Sequence, residues 1–347
     1  MQEKKQKLTS ISEIGEFGLI QRLTKEVQST NVQTIKGIGD DAAVLAYSGE
    51  QIVVTNDLLV EGIHFNLAYM PLIHLGYKAA VVNFSDVLAM NAFPKQLLVS
   101  FAVSNRFGVE ALEELYQGIK IACKEYDVDL VGGDTCSSQK GMFLSITAIG
   151  SALKEEIVYR SGAKENDILC VSGNLGGAYM GLQLLERENR IFLEDPLIQP
   201  NLEGYDYILE RQLRPMARID IIKFFREEEI IPTSMIDISD GLSSELIHLC
   251  TNSGTGCKLF TDKIPIASET SQMAAEFAIE PMVCALNGGE DYELLFSVTQ
   301  SDFKRLEKNK NITPIGHFTT KKDGVKLILG NGQSVDLSPE GWNSFEK

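Results

Sequence analysis

The chain has 347 residues, 44% of them hydrophobic and 23% charged, which supplies a core and suits two domains better than one. Asp and Glu outnumber Lys and Arg by 48 to 32, a formal charge of −16, and no local basic patch offsets it. That balance argues against nucleic acid or anionic membrane as a partner, and the ordinary composition excludes a disordered or collagen-like chain.

The N-terminal MQEKKQKLTS lacks the apolar run of a secretory signal, and no stretch of about 18 uncharged apolar residues follows, so a cytoplasmic location is expected. Ile14, Phe17, Leu19, Ile20, Leu23 and Val27 recur near helical spacing and predict a short peripheral helix. Residues 42–47, 51–57 and 97–103 read as strands, and residues 74–90 and 108–126 as helices. A strand over 141–152 leads into a charged stretch, residues 154–167, which places a domain boundary near Ser151 and gives expected domains 1–150 and 151–347. Beyond it come a strand at 168–173, a helix from Ala178 and a loop marked by Pro196, Pro200 and Pro215. A helix at 218–228, a strand at 234–239, a helix at 243–253, a turn with Gly254 and Gly256, and strands near 294–298 and 325–330 complete the order. Strands interleaved with helices predict an α/β (α+β) fold. Six scattered cysteines, none in a C-x-x-C pair, read as reduced, buried thiols.

Most acidic residues lie where a solvated surface accommodates them, but several sit against apolar runs. Asp40 and Asp41 stand in GIGDDAAVL, Asp57 in IVVTNDLLV, Asp86 in AAVVNFSDVLAM, Asp134 in DLVGGD, Asp237 and Asp240 in SMIDISDGL, and Glu290, Asp291 and Glu293 in CALNGGEDYELLF. An ionised carboxylate among Val, Leu and Ile costs several kcal/mol unless compensated. The first five of these segments contain no Lys or Arg. Oxygen-rich, base-poor sites suit hard cations, Mg²⁺ above Zn²⁺, and several carboxylates point to several Mg²⁺ ions acting on a phosphorylated substrate. Taken singly, each motif also fits a turn, a helix cap or a side chain bonded to its own backbone. No G-x-x-x-x-G-K-[ST] loop or protein-kinase signature is present. VSGNLGGAYMG fits either a tight structural turn or a strand-to-helix turn whose amides face an anion.

In order, GIGDDAAVL, TNDLLVEGIHF, GYKAAVVNFSDVLAMNAFP, DLVGGDT, RSGAKENDIL, IDISDGLSSEL and NGGEDYELLF resemble the bacterial thiamine-monophosphate kinase family. That family lies in the superfamily of aminoimidazole ribonucleotide synthetase, selenophosphate synthetase and a hydrogenase maturation factor, and the resemblance runs from about Gly15 to Trp342. It implies ATP-dependent phosphorylation of thiamine phosphate to thiamine diphosphate by direct in-line transfer. It also implies two synthetase-like α/β domains, the N-terminal ones pairing into a shared β-barrel in a homodimer. By motif position Mg²⁺ would be held by Asp41, Thr55, Asn56, Asp57, Asp86, Asp134, Asp237 and Asp240, with Asp40 beside them. ATP would meet Gly133, Asp134, Arg160 and Ser239, and thiamine phosphate would meet His64, Glu290 and Trp342. Asn56 replaces the Thr or Ser common in the family, and either its amide or its backbone carbonyl would serve as the ligand.

These roles have chemical sense in a chain of this charge. Two anionic reactants meet on an acidic protein only through intervening cations. The acceptor phosphate is already largely ionised at pH 7, so no general base is assigned. Arg160 has the guanidinium for a bidentate phosphate grip, and Trp342 the aromatic face for a thiazolium or pyrimidine ring. Their ordinary alternatives are a surface arginine and a hydrophobic anchor; His64 could equally be a loop histidine. Another ATP-using synthetase of the superfamily, or a non-catalytic divalent-cation-binding dimer, stays open as an alternative function. Two superfamily members fit poorly, because the first cysteine is Cys123, where selenophosphate synthetases carry a reactive residue near the N-terminus, and the chain ends in SFEK without a terminal cysteine.

Overall fold

A computed structural model describes residues 19, 21–36 and 44–338, which divide into two compact units. One comprises Met1–Phe84 and Pro94–Ser151, the other Ser85–Phe93 and Ala152–Lys347. The short stretch Ser85–Phe93 belongs to the second unit although it lies within the first in sequence.

After a helical turn, α1 (residues 21–24), the first unit carries the small β1–β2 pair (Thr34–Lys36, Val44–Leu45). Then come β3 (Gln51–Val60), α2 (Leu72–Ala89), β4 (Phe93–Val103), α3 (Val109–Tyr126), β5 (Asp129–Ser137) and β6 (Met142–Ala152). The four long strands form one sheet in the order β3-β6-β4-β5, with β4 and β5 parallel. Along β4, Leu97, Val99, Phe101 and Val103 are buried while Leu98, Ser100 and Ala102 are half-buried, the alternation of a sheet with one covered face. Phe101 meets Tyr116 of α3 edge-on at 5.8 Å, so that helix covers the buried face. Helix α2 is apolar nearly all round, with Leu75, Ala79, Val81, Phe84, Val87 and Leu88 fully buried. It touches α3 through facing glycines. A Cβ at Gly76 would lie 1.9 Å from the Leu115 carbonyl oxygen, and one at Gly118 would lie 1.9 Å from that of Ile73.

The second unit has a seven-stranded sheet in the order β13-β12-β9-β11-β7-β10-β8. Its strands are β7 (Ile168–Ser172), β8 (Ser234–Asp237), β9 (Gly256–Phe260), β10 (Leu294–Val298), β11 (Ile312–Thr319), β12 (Val325–Ile328) and β13 (Ser334–Asp336). Its helices are α4 (Gly177–Glu194), α5 (Asp206–Leu213), α6 (Ile219–Glu227), α7 (Leu242–Ser253), α8 (Ser268–Glu276), α9 (Pro281–Asn287) and α10 (Gln300–Leu306). Leu242, Leu246 and Leu249 of α7 pack with Leu169, Val171, Leu295, Ile315 and Phe318 of the sheet. Phe225 of α6 packs edge-on against Phe296 at 5.0 Å, and every residue of β10 is buried. A strand sandwiched in this way reads in sequence as the continuous run LLFSV. A second cluster, Met180, Leu184, Ile208, Met273 and Cys284, binds α4, α5, α8 and α9 together.

Candidate functional site

Two of the motifs singled out from the sequence are laced together in the second unit. Strands β8 and β10 are antiparallel neighbours with Asp237 opposite Leu294, and their pairing continues into the loops beyond. The Ile238 N–H donates to the Glu293 carbonyl at 2.8 Å, the Tyr292 N–H to Ile238 at 2.9 Å, and the Glu290 N–H to Ser239 at 2.7 Å. Gly289, Glu290 and Tyr292 adopt left-handed backbone, with φ of 69°, 58° and 51°. At Gly289 a Cβ would lie 2.5 Å from the Ser239 carbonyl oxygen, which requires glycine there. Left-handed conformations at Glu290 and Tyr292 cost roughly 1–2 kcal/mol each and persist only where the surroundings enforce them.

The enforcement comes from buried ion pairs. Of the three acids in GGEDYE only Glu290 is partly exposed; Asp291 and Glu293 are 1% and 2% exposed. Arg211 of α5 bonds Glu293 at 3.0 Å and Asp291 at 3.2 Å. Arg218 reaches Glu293 at 2.5 Å and Asp220 at 2.7 Å, and the Ser172 hydroxyl donates to Glu293 at 2.5 Å. Burial pulls the Arg211 guanidinium toward neutrality, but Glu293 and Asp291 outweigh it and hold it above its ordinary value, so it stays charged. The cationic partners lie some 75 to 82 residues away in sequence, where the local run of acids gave no sign of them. Asp291 also takes the Gly176 N–H at 2.7 Å and the Ala178 N–H at 3.4 Å. The amides at the start of α4 therefore do face an anion, and it is a carboxylate of the protein itself.

Asp237, 4% exposed, accepts the Ser85 hydroxyl at 2.6 Å, and Ser85 directly precedes Asp86 in α2. The second unit thereby gathers the α2 segment bearing Asp86 with Asp237, Ser239, Asp240 and Glu290 at one end of its sheet. Glu245, in the first turn of α7, accepts the Asp240 N–H at 3.1 Å and is 2% exposed. Arg160 is exposed, and its positive charge opposes the effect of burial on Asp240.

In the first unit Thr55 and Asp57 lie on the half-buried face of β3, while Asn56 points to the other face. The Asn56 amide donates to Ser145, Ile146 and Thr147 of β6 at 3.1, 2.9 and 2.8 Å. The Asn56 side chain thus lies on the sheet face opposite Thr55 and Asp57, bonded across to β6. The Asp57 N–H is fixed by the buried Asn83 of α2 at 3.1 Å. His64 is exposed, and its Nδ1 accepts the Val60 N–H at 3.1 Å. Gly133 and Asp134 lie on β5, at the opposite edge of the sheet from β3, roughly 14 Å away along three strand spacings. Asp40, Asp41 and Trp342 lie outside the described residues.

Among the described residues no group of three or more His, Cys, Asp or Glu converges closely enough to hold a metal ion as it stands. The donors at the end of the second sheet nevertheless suit a hard divalent cation. Glu245 Oε2 is buried with no hydrogen-bond partner, and burial pushes the Glu245 carboxyl up to about 8. Burial likewise holds Asp240 above its ordinary range, despite His248 and Arg160. Carboxylates short of compensating positive charge are what a bound cation would satisfy. Residues that the sequence reading passed over are Ser85, Asn83, Glu245, Arg211, Gln212 and Arg218. The first two were visible as polar residues in an otherwise apolar helix.

Comparison with known proteins first defines the class. Residues 39–152 match the family model AIR synthase related protein, N-terminal domain. Over nearly the whole chain the relatives are thiamine-monophosphate kinases. That of Aquifex aeolicus (strain VF5) is 34% identical over 335 residues, 96% of this chain and 99% of the relative. That of Bacillus subtilis (strain 168) is 33% identical over 343 residues, 96% of this chain and 100% of the relative. The solved structure of AaThiL complexed with AMPPCP and TMP is 32% identical, with a TM-score of 0.73 over 98% of this chain and 99% of that one. The chain belongs to the thiamine-monophosphate kinase family, and it is an enzyme of that family.

Proposed function

We propose that the protein transfers the γ-phosphoryl group of ATP directly, in line and without a phosphoenzyme, to thiamine phosphate, giving thiamine diphosphate. The observation that carries this reading is the main-chain lacing of the ISD and GGED loops in a chain of this family, which sets Ser239 and Glu290 side by side. The AaThiL relative, complexed with AMPPCP and TMP, supports the same pair of substrates.

In this reading Gly133, Asp134, Arg160 and Ser239 bind ATP, with Arg160 gripping phosphate through its guanidinium. His64, Glu290 and Trp342 bind thiamine phosphate, the Glu290 carboxylate facing its positively charged ring. Asp41, Thr55, Asn56, Asp57, Asp86, Asp134, Asp237 and Asp240 would hold Mg²⁺, and Glu245 stands beside Asp240. When bound, Mg²⁺ would supply charge neutralisation between the two anionic reactants and on the transferred group. The acceptor oxygen needs no general base, because the phosphate of the substrate is already ionised. The protein acts in the cytoplasm as a homodimer. The apolar sheet face bearing Ile52, Val54 and Leu58, exposed on β3, supports pairing of two copies there.

A coupled ADP-release assay with thiamine, thiamine phosphate and an aminoimidazole ribonucleotide precursor tests the function. Turnover is expected only with thiamine phosphate and Mg²⁺; ADP release with the precursor, or none with any of them, would overturn it. Asp86→Asn should abolish turnover in a folded protein, and near-wild-type activity would remove Asp86 from the metal site.

A further inference from the structure

Helix α5 sends two consecutive side chains to the GGEDYE loop. Arg211 holds Asp291 and Glu293, and the Gln212 Nε2 donates to Glu290 Oε2 at 2.9 Å. Gln212 is 3% exposed, whereas Glu290 is partly exposed, so the amide grips the carboxylate from the protein side. The helix itself is well anchored. Ile208 is buried in the cluster of α4, α8 and α9, and a Cβ on Gly181 of α4 would lie 2.4 Å from the Ile208 carbonyl oxygen, so α4 and α5 are in backbone contact. Arg218, just beyond α5, adds its grip on Glu293. A carboxylate on a three-bond arm loses much freedom on binding unless it is held in place beforehand.

We propose that Gln212 is a positioning residue for substrate recognition, fixing the Glu290 carboxylate toward the cationic ring of thiamine phosphate while Arg211 and Arg218 fix the backbone that carries it. This rests on the proposed role of Glu290 as a substrate contact. Gln212 needs no contact with the substrate in this scheme; it acts through Glu290.

The test compares Gln212→Met, Glu290→Gln and the double variant in the full-length enzyme, reading KM for thiamine phosphate, KM for ATP, kcat and Tm. Gln212→Met is expected to raise KM for thiamine phosphate about tenfold, the value of a hydrogen bond to a charged group, with KM for ATP unchanged. Added to Glu290→Gln it should cause no further rise. If Gln212→Met does not fold, Gln212→Asn, which shortens the arm and keeps the amide, carries the same expectation. Should Glu290→Gln raise that KM and the Gln212 variant not, the positioning role falls and the substrate contact stands. Should the Gln212 variant raise it and Glu290→Gln not, both fall. A lowered Tm with equal changes in the two KM values would reduce Gln212 to a structural role and overturn the proposal.

Discussion

Buried acids in this chain are compensated in several different ways, and not all of them leave room for a cation. Asp129, 1% exposed, takes the N–H groups of Thr30 and Asn31 at 2.6 and 3.0 Å. Asp291 and Glu293 take arginines, and Asp237 takes the Ser85 hydroxyl. Burial raises the pKa of Asp240, Glu245 and Asp291, but Asp291 is held by Arg211 and two backbone N–H groups, whereas Glu245 keeps a buried Oε2 with no hydrogen-bond partner. A base-free segment is therefore a poor guide to which carboxylate meets a metal, since a partner can come from any distance in sequence. Removing Arg218 leaves Glu293 buried with one cation fewer, so Arg218→Met should cost about 3–5 kcal/mol in urea unfolding. A loss below about 1 kcal/mol would show that Arg211 suffices. The cysteines give a second residue-scale prediction. Cys136 is exposed and the other five are buried, with burial pushing Cys123 up to about 12 and Cys284 up to about 11. A thiol with a raised pKa is protonated and unreactive until the pH climbs through that value. At pH 8 the folded protein should react with one equivalent of a disulfide reagent, and Cys136→Ser should abolish that reaction; two or more fast thiols would contradict the burial pattern.

At the scale of elements, long periodic or continuously apolar segments were legible, as in α2, α3, β4, β6 and β10, and short, irregular ones were not. Strand β11 contains Pro314 and Gly316, both loop signals, and the register shift between them lets the strand bear them. Helix α5 falls inside what reads as a Pro-marked loop, because only Ile208 and Gln212 of its eight residues are buried and so short a stripe shows no period. The motif residues of the site were legible as acids in apolar settings. Their supports were not, since Arg211 and Gln212 lie on that hidden helix. Glycines at 76 and 118 look like weak points in helices, yet they are where α2 and α3 touch. Gly118→Ala should cost about 3 kcal/mol or more in urea unfolding, because its methyl group meets backbone rather than a movable side chain. Gly330→Ala, with nothing within 4 Å of the added Cβ, should change stability by less than about 0.5 kcal/mol. Equal effects at both sites would refute the close helix contact.

For the whole molecule the decisive feature is an apolar sheet face exposed among the described residues. No helix among the described residues is long and apolar enough to cross a membrane. On β3, Ile52, Val54 and Leu58 are 53%, 61% and 55% exposed, and Phe143 of the adjoining β6 is 37% exposed. Strand β3 is also an edge of its sheet, with its outer side unpaired by any strand among the described residues. Long apolar edge strands associate unless something blunts them, and here no charged residue stands on the exposed row formed by Ile52, Val54, Asn56 and Leu58. A second copy of the chain is the proposed cover. Placing lysines in that row puts like charges across a two-fold axis in a buried setting, where repulsion and desolvation add. Val54→Lys combined with Leu58→Lys should therefore convert a dimer into a monomer by sedimentation velocity while leaving far-ultraviolet circular dichroism unchanged. Wild-type protein that sediments as a monomer at micromolar concentration, or a double variant that stays dimeric, would show that this face does not join two copies.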